Sequence, residues 1–267
     1  MSEIWAEEAG DRAAPLIALI HGTMDRSTGM LRLSRRLDDR FRVLRYDRRG
    51  YGRSIGADDA REGPFDMRAQ VADLVRLLDG RRALLVGHSY GGNVAMATAQ
   101  HHPDLIGGLA IYETPMSWQP WWPGTTAGAE ARATSGSPAE AAERFMRRLV
   151  GDATWEGLPE RTRDIRRAEG PAMVGELNDL QRREPWRVEQ IHCPMVFAYG
   201  SRGAAHHVEG MEYVHSLAPQ SKLVVIEDAR HDAPNSHSLL FATSVVEPLA
   251  KMAGAPWADA VDVHGPT

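Results

Sequence analysis

Gly87-His88-Ser89-Tyr90-Gly91-Gly92 lies between an apolar run, Ala83-Leu84-Leu85-Val86, and a helical pattern over Asn93–His101. A serine flanked at two residues by glycines, at the junction of a strand and a helix, is the arrangement that lifts a hydroxyl out of a sharp turn. Gly87 and Gly91 must be small because strand and helix approach closely there. The turn presents the Ser89 oxygen at the carboxyl end of the sheet. The N–H groups and positive end of the following helix converge on the same place. A serine so placed attacks acyl carbons. Its hydroxyl holds its proton tightly at neutral pH, so it needs an adjacent base. The chain has eleven histidines from which that base can come.

The elements that must position Ser89 form an α/β rhythm. Compact apolar runs at Leu16–Ile20, Phe41–Tyr46, Ala83–Val86, Ile106–Tyr112, Met195–Tyr199 and Leu223–Ile226 read as strands. Helical spacing separates them at Met30–Leu37, Asp66–Leu78, Asn93–His101 and Val208–Leu217, with a last helix over Ser236–Met252. In the second of these, Met67, Val71, Leu74, Val75 and Leu78 make one face and Asp66 is the N-cap. Strands apolar on both faces and separated by helices predict a mostly parallel sheet covered on both sides. From Glu113 to about Arg187 the rhythm stops. This stretch holds five of the seven tryptophans and short helical pieces at Ala139–Leu149 and Arg161–Arg167. The division expected is a core of residues 1–112 and 188–267 with a helical cap insertion over 113–187.

Four segments in order resemble the α/β-hydrolase superfamily, in particular its capped esterase-like, haloperoxidase-like and carbon–carbon hydrolase branches. They are His21-Gly22-Thr23-Met24 after a strand, Asp47-Arg48-Arg49-Gly50-Tyr51-Gly52-Arg53-Ser54 after the next, the turn at Gly87–Gly91, and Glu227-Asp228-Ala229-Arg230-His231 after the last. The resemblance implies a doubly wound sheet of about eight strands and the chain order serine, acid, histidine. On that order His231 is the base. His237 reads as structural, and His88 as pointing away from Ser89. An oxyanion needs two backbone N–H donors. The resemblance assigns one to Tyr90 and the other to Thr23, with Met24 next.

The acid departs from the family's pattern. An aspartate is expected in a G-x-x-D segment after the penultimate strand, and here Gly200-Ser201-Arg202-Gly203 has none. Glu113, 24 residues after Ser89, stands after the neighbouring strand, where dehalogenase relatives carry their acid. Asp228 and Glu209 are further candidates, and a protein without a proper acid is a third outcome. Removing a triad carboxylate costs about 10⁴ in turnover.

Composition narrows the remaining classes. Lys and Arg number 31 and Asp and Glu 36, for a net charge of −5, and no basic run suggests nucleic acid. The acidic start has no leader-like apolar stretch, and no apolar run approaches the roughly 20 residues of a membrane helix. A cytoplasmic protein is expected. The single Cys193 reads as buried filler. The pairs His101-His102 and His206-His207 lack metal-site spacing, and there is no G-x-G-x-x-G after the first strand, so no metal or cofactor is expected. The segment Trp118-Gln119-Pro120-Trp121-Trp122-Pro123 has two readings, packing of the insertion and an apolar acyl pocket. On the second, Met24, Met116, Trp118 and Trp122 contact substrate, with Met173 as a further wall. The expected function is hydrolysis of a small to medium apolar ester or lactone through an acyl-enzyme. A serine, in place of aspartate, argues against dehalogenase or epoxide hydrolase chemistry. Alternatives are carbon–carbon bond hydrolysis of a diketone and a non-catalytic binding protein on the same fold. The partner expected is a small molecule, with a second copy of the chain left open.

Overall fold

The computed structural model describes residues 4–55 and 63–254. Among these, seven strands form one sheet in the order β1-β3-β2-β4-β5-β6-β7. They are β1 (Ala6–Ala9), β2 (Leu16–Ile20), β3 (Arg42–Tyr46), β4 (Ala83–His88), β5 (Ile106–Tyr112), β6 (Met195–Gly200) and β7 (Lys222–Ile226). Only β1 runs antiparallel, pairing Ala6 with Tyr46 at the sheet edge. The six apolar runs read from the sequence are the six parallel strands. Seven strands are seen where about eight were expected, and β1 was not anticipated. Its Ala-Glu-Glu-Ala sequence has neither apolar alternation nor β-branched residues.

The parallel strands β2 to β6 bury both faces with a period of two, while β7 at the edge is largely half-exposed. Leu16, Ala18, Ile20, Leu85 and Ile111 face one layer, and Ile17, Leu19, Leu84, Val86 and Ala110 face the other. The first layer holds α2 (Met67–Leu78), α3 (Tyr90–His101) and α9 (Ala205–Leu217). Asp66 caps α2, its side chain accepting from the Ala69 N–H at 2.9 Å. The second layer holds α1 (Leu31–Leu37) and the C-terminal helical segment. That segment is not the single helix expected. It runs as α10 (Ala233–Ser236), α11 (Ser238–Phe241), a wide π turn (Ala242–Val246) and α12 (Glu247–Met252).

Between β5 and β6 come α4 (Ala127–Arg132), α5 (Pro138–Val150), α6 (Asp152–Gly157), α7 (Glu160–Ala168) and α8 (Gly170–Arg182). Ser137 and Glu140 form a reciprocal capping box at the start of α5. These helices have an apolar centre of their own, with Trp155 fully buried among Ala142, Phe145, Met146, Met173 and Leu177. Met24 and Tyr51 from the sheet side join it.

One buried ion pair ties this layer to the sheet. Arg48 and Glu176 side chains are both 0% exposed and meet at 2.7 Å. The same guanidinium donates to the carbonyls of His21 (2.9 Å) and Gly22 (3.1 Å). Glu176 also accepts from the Thr23 hydroxyl (2.6 Å) and the Tyr51 phenol (2.7 Å). Removing one partner of such a pair leaves a buried charge uncompensated, at a cost of about 3–5 kcal/mol. Glu176→Leu is expected to lower unfolding free energy by about that amount, and Glu176→Gln by less because the amide still accepts. Urea unfolding of the two variants checks the order, and equal small losses in both would refute it.

Candidate active site

Ser89 begins where β4 turns into α3, with φ 54° and ψ −127°, a region L-residues rarely enter. Its N–H donates to the Tyr112 carbonyl (2.9 Å), and its carbonyl accepts from the Gly92 N–H (2.9 Å) and the Thr114 hydroxyl (3.1 Å). The turn is therefore held from β5 as well as from α3. The glycines are there for clearance. A Cβ on Gly91 would strike the Ile20 carbonyl, and one on Gly87 would press on Gly92. The loop after β2 lies directly against the serine, since a Cβ on Gly22 would come within 2.8 Å of the Ser89 Cβ.

His231 lies beyond β7 in a pinned loop. Tyr112 donates its phenol to the Arg230 carbonyl (2.7 Å), and the Arg202 N–H donates to the Ala229 carbonyl (3.0 Å). The His231 Nδ1–H donates to the Glu113 Oε2 at 2.7 Å. That bond fixes the tautomer and leaves Nε2 with its lone pair. Glu113 is fully buried, while the His231 side chain is 32% exposed. Glu113 takes φ 46° immediately after β5, and its Oε1 accepts from the Gly200 N–H (3.0 Å) at the end of β6. Its carboxylate thus crosses from the end of one strand to the end of the next. A Cβ on Gly203 would meet that oxygen at 2.5 Å. Gly203 is the last position of the G-x-x-D segment, so the carboxylate of Glu113 occupies room that a side chain at 203 would need.

The other acid candidates point elsewhere. Asp228 is exposed and pairs with Arg202 at 2.8 Å. Glu209 is exposed on α9.

His231 is surrounded by other imidazoles. His88, next to Ser89, donates Nε2–H to the His231 carbonyl (2.7 Å), with ring centres 4.7 Å apart. Far from being unconnected to the site, it braces the histidine loop. Burial, with the charge of His231 nearby, pulls His88 down to about 3. His207 stacks on His231 at 4.6 Å and 13°. Burial and its histidine neighbours hold His207 well below the usual histidine range, so it serves as a neutral aromatic platform. Neither His206 nor His207 was assigned a place at the site from the sequence. One nitrogen from each of His207 and His231 and one oxygen of Glu113 lie within 4.8 Å of one another. They do not suit a metal in this arrangement, because imidazoles bind metals in the ring plane and parallel rings do not converge on one ion. The Glu113 oxygens are also already engaged.

A cavity of about 760 Å³ opens over this group. Ser89, His231, Thr23, Met24 and Trp122 all line it. Tyr90 heads α3 beneath it, and the N–H groups of a first helical turn have no intrahelical acceptor. Met116 and Trp118 do not line it, which corrects two of the substrate-contact expectations. Met116 is fully buried in the sheet-side core, and Trp118 packs edge-on against Trp186 at 5.2 Å. Met173 is likewise buried among the inserted helices. Cys193 is half-buried, with its thiol pushed up to about 11 by burial, in line with a packing role.

The chain matches the alpha/beta hydrolase family model over residues 17–243 and belongs to that family. It is 36% identical over 94 residues to 2-(acetamidomethylene)succinate hydrolase of Mesorhizobium japonicum, covering 35% of this chain and 34% of that protein. The matches to the first curated relatives span 28–34% of those proteins' lengths. Two solved structures follow nearly the whole fold. A thermophilic esterase from Thermogutta terrifontis, solved with malate bound, superposes with TM-score 0.71 at 25% identity over 94% of each chain. The enol-lactonase from Burkholderia xenovorans LB400 superposes with TM-score 0.70 at 24% identity over 92% of this chain and 96% of that one. Among the described residues no helix is long and apolar enough to cross a membrane.

His21, at the foot of the site, gives a pH prediction. It donates Nδ1–H to the Gly22 carbonyl (2.8 Å) and accepts the Arg48 N–H at Nε2 (2.8 Å). Burial and the Arg48 charge hold it well below the usual histidine range. An unfolded histidine takes its proton near 6.5. Between those two values unfolding takes up a proton, so stability is full above about pH 6.5 and falls as pH drops below it. The expected slope from this residue is about 1.4 kcal/mol per pH unit. Urea unfolding between about pH 7.5 and 5.5 should give a shallower slope for His21→Asn than for the native chain. Parallel slopes would place the acid sensitivity elsewhere.

Proposed function

We propose that the protein is a serine hydrolase acting on a small to medium ester or lactone through an acyl-enzyme. The observation that carries this reading is the Glu113–His231 hydrogen bond, at 2.7 Å, beside a cavity that Ser89 also lines from a strained strand-to-helix turn. Ser89 Oγ adds to the acyl carbon while its proton passes to His231 Nε2. Glu113 holds the ring in the tautomer that leaves Nε2 free and stabilises the imidazolium that forms. The N–H groups of Tyr90 and Thr23 hold the oxyanion. The alcohol leaves with the proton from His231, or stays tethered where the substrate is a lactone. Water then gives a proton to His231 and its hydroxide to the acyl carbon, releasing the acid and restoring Ser89.

Residues 113–187 act in this reading as a cap over a core of residues 1–112 and 188–267. Met24, Trp122, Phe145 and Leu177 give the cavity apolar walls, which suits a largely apolar substrate body. The esterase likeness over nearly the whole chain supports the same chemistry. Action in the cytoplasm on a small molecule, without metal or cofactor, completes the reading.

A fluorophosphonate probe is expected to label the native protein and not Ser89→Ala. Absence of labelling on folded native protein removes the reading. Glu113→Gln is expected to lower turnover of a p-nitrophenyl ester by about 10⁴, as loss of the histidine's orienting carboxylate does elsewhere. Unchanged turnover in Glu113→Gln would take Glu113 out of the mechanism.

A further inference from the structure

The cavity carries more positive charge than its own carboxylates answer. Arg132, Arg148, Arg166, Arg202 and Arg230 line it, against Asp25 and Asp232. Most of these arginines are accounted for. Arg148 reaches Glu130 at 3.6 Å, Arg166 is held by Glu169 (3.1 Å) and the Met24 carbonyl (2.8 Å), and Arg202 by Asp228 (2.8 Å). Arg230 is exposed at the rim. Arg132 is different. It is the last residue of α4, half-buried, and makes no ion pair or hydrogen bond among the described residues. Burial alone lowers its affinity for a proton, with no neighbouring carboxylate acting the other way. Asp25 is half-buried at the Gly29 turn and Asp232 is exposed at the start of α10, and neither pairs with Arg132.

A half-buried guanidinium in a cavity wall, with no counter-charge from the protein, is free to take one from a ligand. Its planar fork matches a carboxylate bidentately. We propose that Arg132 is a substrate-binding residue and that the substrate carries a carboxylate, held by Arg132 at the cap end of the cavity while its ester or lactone carbonyl lies at Ser89. This rests on the serine-hydrolase reading above and narrows it, with an apolar body between one anionic end and one reacting carbonyl.

The test uses two matched pairs of esters. The charge lies on the acyl side in mono-p-nitrophenyl adipate against p-nitrophenyl hexanoate, and on the leaving side in 4-acetoxybenzoate against its methyl ester. The native enzyme is expected to favour the anion in kcat/KM in at least one pair, by about tenfold or more. Arg132→Gln is expected to abolish that preference, and Arg132→Lys to keep part of it. No preference in either pair, or the same preference in Arg132→Gln, overturns the proposal. A binding arm separates this outcome from failure of the hydrolase reading. Adipate and benzoate are titrated calorimetrically into Ser89→Ala and into Ser89→Ala with Arg132→Gln. Weaker binding of either anion in the second protein supports Arg132 even if no ester is turned over. Equal binding in both proteins, or none in either, counts against it whatever the esterase assay gives.

Discussion

The buried pair of Arg48 and Glu176 is the constraint around which the rest is arranged. A guanidinium and a carboxylate with no exposure to water can coexist only if their remaining hydrogen-bonding capacity is met. Here it is met by the parts that must be held still. Arg48 fastens the carbonyls of His21 and Gly22, and Glu176 gathers the hydroxyls of Thr23 and Tyr51. The loop after β2 is thereby fixed against Ser89 from one side, and α8 is fixed over the sheet from the other. Under the proposed mechanism this fixes the Thr23 N–H before substrate arrives, which is where electrostatic stabilisation of an oxyanion gains most. Position of the inserted helices and geometry of the loop beneath them are one problem with one solution.

The second constraint is the set of imidazoles around His231. If His231 is the base of the proposed mechanism, it must be neutral before it accepts a proton, and neighbouring cations would work against the protonated state it must reach. His88 and His207 lie against His231 and are both held neutral by burial. They give the ring walls without giving it charge. His88 adds a hydrogen bond to the backbone of the same loop, and Glu113 alone supplies the negative partner.

Much of this could be read in the chain, for identifiable reasons. Strands β2 to β6 carry compact apolar runs because both of their faces are covered, and α2 carries a clean amphipathic face behind its aspartate cap. The Ser89 turn announces itself because glycines must stand where strand and helix nearly touch. β1 was not legible because a short edge strand takes its pairing from β3 and not from its own side chains. α8 was not read, although Pro171 in its first turn is a position that suits a helix start. With α8 unread, Glu176 had no place, and the Arg48 of the D-x-R-G segment had no visible partner. The tryptophans between β5 and β6 divided as no periodicity could tell, Trp122 lining the cavity and Trp118 packing against Trp186.

Under the proposed mechanism, the acid is set by what two neighbouring strand ends can reach. What the histidine needs is a carboxylate oxygen at one point beyond the sheet edge. That point can be reached from the end of β6 by a short side chain at 203, or from the end of β5 by a longer one that crosses to the neighbouring strand. Two carboxylates in that space would repel each other, and a single Cβ at 203 already intrudes on the Glu113 oxygen. The two solutions therefore exclude each other sterically as well as electrostatically. With Glu113 in this position, the glycine at 203 leaves room for its oxygen. Glu113 also needs its left-handed backbone, φ 46°, to aim the side chain across, and the Gly200 N–H to hold its second oxygen. Under the proposed mechanism the glycine at 203 and the glutamate at 113 are therefore read together, one leaving the room that the other's carboxylate fills.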